Sequence, residues 1–194
     1  MKLRSYIYYL YNRLSTIYTK FFHSRLNLKE GILFKGIPYI FMYKDTRISI
    51  GKNTTINSSN WEYHINMFTK CKLFTDKKGA SISIGDNCRI HGTCIHAYTS
   101  ISIGNNCLIA ANTQIIDGNG HELSFDNPAN RIETTDTGKP IVIKDNVWIA
   151  TNCIVLGGTT IGEGTVITAN SVVKGNIPDR CLYGGNPAKL IRQY

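Results

Sequence analysis

Aliphatic residues recur at every sixth position over one long stretch of the chain: Ile143, Ile149, Val155, Ile161, Ile167 and Val173. Four places after each stand Val147, Cys153, Thr159, Thr165, Ser171 and Ile177, a mostly small column. Three places after each stand Asn146, Asn152, Gly158, Gly164, Asn170 and Asn176. A period of six matches neither an amphipathic helix, near 3.6, nor a two-sided strand of period 2. It matches a coil of three short faces, each aiming one aliphatic side chain inward. The Asn/Gly column is expected at the corners, where φ > 0 is cheap for Gly and tolerated by Asn. Such fixed-period self-similarity is the signature of a repeat architecture.

The same pattern organises the rest of the chain with interruptions. Residues 2–22 predict a helix, because Leu3, Ile7, Leu10, Leu14, Ile17 and Phe21 are spaced 4, 3, 4, 3, 4 and form one apolar stripe. Tyr6, Tyr9 and Tyr18 widen the stripe, and Lys2, Arg4, Arg13 and Lys20 lie among them. Two docks suit that helix: the protein's own body or a neighbouring subunit, and an anionic membrane surface. Hexads begin at Ile50 and Ile56, lose phase over 57–80, return at Ile84 and Ile90, slip near 95–100, and resume at Ile103, Ile109 and Ile115. Residues 117–140 break the repeat and are rich in Gly, Asn and Asp, as expected of a loop extruded between coils, and excursions of this length are usually functional. The expected organisation is an N-terminal basic amphipathic helix over 1–30, a repeat domain over 31–183 carrying the 117–140 loop, and a tail over 184–194.

Composition refines this picture. Net charge is +9, and residues 1–50 hold nine Lys/Arg against Glu30 and Asp45, so they carry +7 of it together with eleven of the twenty aromatics. The near-neutral remainder argues against a nucleic-acid face. Cys88, Cys94, Cys107 and Cys153 each fall four places after an Ile, in the small inward column, and there is no CxxC pair. With no evident secretory signal and no apolar run of the ~18 residues that span a bilayer, buried thiols in a reducing cytosol are expected.

His121 is the main candidate for chemistry. It sits in the extruded loop, where a neutral imidazole suits a general base for a hydroxyl, and Asp117 is placed to hold its far ring nitrogen and fix the tautomer. A solvated loop histidine is the alternative.

Residues 82–194 resemble the hexapeptide acyltransferases, especially the sugar O-acetyltransferases near the galactoside and maltose acetyltransferases. The resemblance rests on Ile116-Asp117-Gly118-Asn119-Gly120-His121, on Asn146-Val147-Trp148-Ile149-Ala150 and on Gly185-Asn186-Pro187-Ala188-Lys189. It implies an all-β left-handed parallel β-helix of hexapeptide repeats, with a short N-terminal amphipathic α-helix and an extruded active-site loop. The implied assembly is a homotrimer whose active sites lie at subunit interfaces. The implied reaction is direct transfer from acetyl-CoA to a saccharide acceptor, with no metal required and His121 as base. The donor contacts it implies are Trp148, Ala150 (whose amide would face the oxyanion), Thr151, Ala169, Lys174, Lys189 and Arg192. Trp148 can equally cap an outer face, and Lys189 and Arg192 can be solvated tail charges. Counting from Gly85, the galactoside-type acceptor contact falls on His91, with His96 and Tyr98 nearby. The expected location is cytoplasmic, with peripheral contact at the inner membrane face through residues 1–25. Other classes compatible with the sequence are an N-acyltransferase on an amino sugar or antibiotic, a γ-class carbonic anhydrase binding zinc through His91, His96 and His121, and a non-catalytic trimeric scaffold.

Overall fold

The computed structural model describes residues 3–194. Met1 and Lys2, the latter the first residue of the expected helix, lie outside the described residues. A helix, α1 (Leu3–Phe22), leads into a three-sided parallel β-helix closed by a hairpin. The first sheet stacks β1 (Asn27–Leu28), β4 (Arg47–Ile50), β7 (Ser81–Ile84), β10 (Ser100–Ile103), β13 (Ile141–Ile143), β16 (Thr160–Ile161) and β19 (Asn176–Ile177). The second stacks β2 (Leu33–Lys35), β5 (Thr55–Asn57), β8 (Arg89–His91), β11 (Leu108–Ile109), β14 (Trp148–Ile149), β17 (Val166–Ile167) and β20 (Cys181–Gly185). The third stacks β3 (Tyr39–Met42), β6 (Lys72–Thr75), β9 (Cys94–Ala97), β12 (Gln114–Ile116), β15 (Ile154–Leu156) and β18 (Val172–Val173). Each coil visits the three sheets in that order.

The core is one column of buried aliphatic side chains running the length of the stack, with Ile90, Ile109, Ile149 and Ile167 fully buried in successive coils. Each such Ile contributes roughly 1.5–3 kcal/mol relative to exposure. The small column is buried as expected, and its hydroxyls and thiols serve one purpose. Thr54 Oγ1 donates to the Gly85 carbonyl at 2.9 Å, Cys88 Sγ to Gly104 at 3.1 Å, Cys107 Sγ to Lys144 at 3.2 Å and Cys153 Sγ to Thr168 at 3.2 Å, each tying a corner to the next coil. Cys94 departs from this expectation. Gly92 and Thr93 close their corner one residue early, Thr93 takes the buried slot, and Cys94 faces outward on β9, half-buried beside Lys72 and Gln114.

Asn146, Asn152, Gly158, Gly164 and Asn170 all turn corners at positive φ; Asn176 does not, because Gly175 (φ 89°) takes the last corner and frees Asn176 to enter β19. The apparent slip near 95–100 is a longer first face, not a break. Ser81-Ile82-Ser83-Ile84 and Ser100-Ile101-Ser102-Ile103 pair residue for residue, with two inward isoleucines each. Phase loss over 57–80 is confined mostly to an excursion over 58–71, after which β6 rejoins the stack in register with β9. The segment expected as a tail forms β21 (Ala188–Gln193), antiparallel to β20.

Of the docks open to the apolar stripe of α1, the protein's own body is not the one taken. Tyr8, Asn12, Ser15 and Thr19 are the helix's buried residues. Tyr8 stacks on Trp61 with ring centroids 5.1 Å apart, and the Phe34 amide donates to Thr16 Oγ1 at 3.0 Å. The apolar stripe points to solvent.

Candidate active site

The 117–140 excursion leaves the stack after β12 and is built as two strands of chain pinned to each other. Its foot is closed by Lys139 N donating to the Asp117 carbonyl at 2.6 Å. Higher up, the Asn119 amide and side chain both donate to Asp136 Oδ2, at 2.7 and 3.0 Å, and these donors hold the Asp136 carboxyl below its ordinary pKa. Glu122 N donates to Thr134 Oγ1 at 3.1 Å, and Arg131 Nε to the Leu123 carbonyl at 2.7 Å.

His121 is exposed on this excursion, and its Nδ1 lies 3.1 Å from the Thr134 carbonyl oxygen. A carbonyl can only accept, so Nδ1 carries a proton, and in the neutral ring Nε2 is the nitrogen with the free lone pair. The tautomer of an exposed imidazole is thus set by the loop's own backbone.

Asp117 is not the residue that sets it. Its carboxyl is buried and turned into the stack, where Oδ1 accepts from Tyr98 N and Oδ2 from Thr99 N and Oγ1 at 2.9 and 2.8 Å. The expectation that Asp117 orients His121 is therefore corrected: its two carboxylate oxygens are taken up by Tyr98 and Thr99 at the corner, and the Thr134 carbonyl holds the His121 Nδ1. Tyr98 packs between the two feet of the excursion. A Cβ at Gly118 would meet its ring at 2.4 Å, and one at Gly138 would meet its Cβ at 2.8 Å, so neither foot can carry a side chain. Burial, then Asp76, Asp136 and Asp117, push the Tyr98 phenol above its ordinary pKa. Beside it His96 donates from Nε2 to Asp76 Oδ1 at 2.9 Å, with its ring edge-on to Phe74 and Tyr98.

A second feature lies on the second sheet. A groove of about 460 Å³ is lined by Tyr63, His64, Arg89, His91, Leu108, Trp148, Ala150 and Thr151. Arg89, Leu108 and Trp148 in the groove stand in register, and the same ladder of the second sheet continues beyond it through Val166, Leu182 and Arg192. His91 is clamped here: Tyr63 stacks on it with ring centroids 4.4 Å apart, and Asn57 Nδ2 donates to its Nδ1 at 3.2 Å. The Asn57 amide orientation follows from its own oxygen, which accepts from Ser59 N at 3.0 Å. Burial, followed by Lys35, Arg89 and His64, lowers the His91 pKa to about 4, so it is neutral at pH 7.

The expected site residues thus fall into separate groups. Trp148, Ala150, Thr151 and His91 share the groove. Ala169 is exposed at the corner after β17, and Lys189 and Arg192 extend the sheet on β21. Lys174 lines a small hollow with Asp117, Asn119, Asp136 and Lys139 at the foot of the excursion. His96 and Tyr98 flank that excursion, while His91 stands on a different sheet, so the three do not form one acceptor site within a chain. Nor do His91, His96 and His121 converge as a zinc triad: among the described residues no three His, Cys, Asp or Glu side chains gather to hold a metal. The Ala150 amide, expected to face an oxyanion, donates to the Ile167 carbonyl at 2.9 Å and is taken up by the sheet. Asp76, Asn57 and Tyr63 are additions the repeat pattern could not reveal, because all three stand at or beyond the points where the period is lost.

Comparison with known proteins agrees with this architecture. Residues 140–175 match the family model described as bacterial transferase hexapeptide (six repeats), and residues 81–116 match the hexapeptide repeat of succinyl-transferase. The chain carries hexapeptide repeats over both stretches. The β-helix is accordingly of the left-handed hexapeptide type. Over 119 residues it is 35% identical to a protein of Escherichia coli (strain K12) named "Putative lipopolysaccharide biosynthesis O-acetyl transferase WbbJ", covering 58% of this chain and 61% of that one. The chain spans less than two thirds of the length of the curated relatives it first matches. A hexapeptide-repeat acetyltransferase from Vibrio cholerae O1 biovar eltor, solved with acetyl-CoA, superposes with TM-score 0.53 at 25% identity over 88% of this chain and 73% of that one. AntD, an N-acyltransferase from Bacillus cereus solved with dTDP and 3-hydroxybutyryl-CoA, shares the fold with TM-score 0.67 at 19% identity, covering 90% of this chain and 86% of that one.

Proposed function

We propose that this protein transfers an acetyl group from acetyl-CoA to a saccharide hydroxyl, with His121 as general base. The observation that carries the reading is the Thr134 carbonyl on His121 Nδ1, which makes Nε2 the lone-pair nitrogen of the neutral ring on an exposed, pinned loop. In the reaction Nε2 takes the hydroxyl proton as the oxygen attacks the thioester carbon. The tetrahedral intermediate collapses by breaking the C–S bond. The departing CoA sulfur then takes the proton back from the imidazolium, so proton and electron pair both balance. The names of the Escherichia coli and Vibrio cholerae relatives support acetyl as the group, and that of the Escherichia coli relative supports oxygen as the acceptor atom.

The groove suits the donor. Its wall of Tyr63, Leu108 and Trp148 fits a pantetheine arm, and Arg89, Lys189 and Arg192 along the same sheet supply cations for the phosphates. Within one chain that groove and His121 lie on different parts of the prism: one on the second sheet, the other beyond the third. A threefold assembly, in which the loop of one copy meets the groove of the next, unites them and makes each site an interface site. Lys174, at the loop's foot, would then approach the donor from the side opposite Lys189 and Arg192. The acceptor is proposed to be a precursor of a surface polysaccharide, following the name of the Escherichia coli relative. Acetyl-CoA as donor makes the cytoplasm the proposed place of action.

Thiol release from acetyl-CoA, followed against a panel of sugars, lipid-linked sugars and amino sugars, tests the reading. Release that depends on a hydroxyl-only acceptor is expected. Release with amino sugars alone would make the protein an N-acyltransferase, and no release with any acceptor would remove the proposal.

A further inference from the structure

The outward face of α1 is an apolar surface that acyl transfer leaves unused. Leu3, Ile7, Leu10, Leu14, Ile17 and Phe21 are 41–75% exposed, although this is the most apolar stripe the helix has. The helix is not merely undocked. Tyr8 on Trp61 and Thr16 on the Phe34 amide fix its opposite face to the body, so the stripe is held outward. An amphipathic helix normally buries such a stripe against the core. Here the more polar face, with Asn12, Ser15 and Thr19, has been given that place.

The flanks of the stripe identify what covers it. Arg4, Arg13 and Lys20 are exposed beside it, interleaved with Tyr6 and Tyr18, and residues 3–29 contain no Asp or Glu. Were the stripe buried against the same helix of a second copy, these flanking positions would face one another, cation beside cation or tyrosine, with no acid to pair. An anionic lipid surface meets all three features at once. Acyl chains take the aliphatic row, the headgroup layer takes the tyrosines, and headgroup charge takes the cations. No described helix is long and apolar enough to cross a membrane, so the contact is one of lying on the surface. We infer that α1 is a peripheral membrane anchor that lays the apolar stripe Leu3–Phe21 on an anionic bilayer. The inference stands independently of the acyl-transfer reading.

Flotation of the full-length protein with phosphatidylcholine vesicles, with and without about a third phosphatidylglycerol, tests it. Wild type is expected to float with the anionic vesicles and to release as salt is raised. Each cation near such a surface adds roughly fivefold to partitioning, so R4Q/R13Q/K20Q is expected to lose roughly a hundredfold. L14E/I17E is expected to abolish flotation while keeping the wild-type melting temperature, because both side chains are mostly exposed. Equal binding to neutral vesicles, or flotation unchanged in either variant, would overturn the inference. So would failure of wild type to float, and light scattering that showed L14E/I17E dissociating an assembly of a non-floating wild type would assign the stripe to a second copy instead.

Discussion

The carboxyl of Asp117 and the imidazole of His91 are the two site-region groups whose partners leave least freedom. Asp117 accepts three hydrogen bonds at the corner joining β9 to β10. In Asp117→Asn one acceptor oxygen becomes an NH₂ facing N–H or O–H donors, and the expected loss is roughly 2–4 kcal/mol of stability. Urea denaturation checks this; a change under about 0.5 kcal/mol would contradict the buried role. His91 titrates at about 4 in the folded chain against an ordinary 6.5. Because the folded pKa is depressed, the unfolded chain binds the proton first as pH falls. Stability is therefore lost between about pH 6.5 and 4, by up to roughly 3 kcal/mol. His91→Gln should flatten that part of the stability-versus-pH curve relative to wild type; an unchanged slope would mean the His91 pocket is wetter than its Tyr63 stack implies. His121 could be singled out in the sequence because it stands in a polar break, but its partner could not. The deciding contact is a backbone carbonyl thirteen residues away, and a carbonyl leaves no mark on residue identity.

At the scale of elements, the period was legible because one requirement recurs in every coil: an inward aliphatic residue, a small buried one and a corner at positive φ. Asn106 shows the corner at work, with φ 56° and Oδ1 accepting from Asn87 Nδ2 at 3.3 Å in the coil before. Asn106→Gly loses only the ladder contact and should cost roughly 0.5–1 kcal/mol. Asn106→Val adds left-handed strain and should cost roughly 2–3 kcal/mol. Equal melting temperatures for the two variants would sink the conformational argument. Where chain length per face changes, the reading failed for the same reason it succeeded elsewhere. Thr93 closing early moved Cys94 outward, and Gly175 displaced Asn176 from the corner. The two excursions are held by polar contacts such as Asn60 Oδ1 accepting from Met67 N at 2.6 Å, which follow no period. Helix α1 was legible as a helix, but amphipathicity alone does not say which face the body takes.

For the whole molecule, the proposed active site is divided between copies: a loop bearing His121 on one side of the prism and the Trp148 groove on another. Protomers of His121→Ala and Trp148→Glu, each inactive alone, should on co-expression recover about a quarter of wild-type activity, since random threefold mixing pairs an intact loop with an intact groove at that frequency. Recovery no greater than the two variants assayed separately would place both halves in one chain. The claim on which everything functional rests is narrower, and it is tested by the steady-state rate of acceptor-dependent thiol release in His121→Ala beside wild type, with acetyl-CoA affinity measured by calorimetry on both. The account predicts a rate lower by roughly 10²–10⁴ with donor affinity unchanged. A variant that turns over at the wild-type rate would show that His121 is not the base.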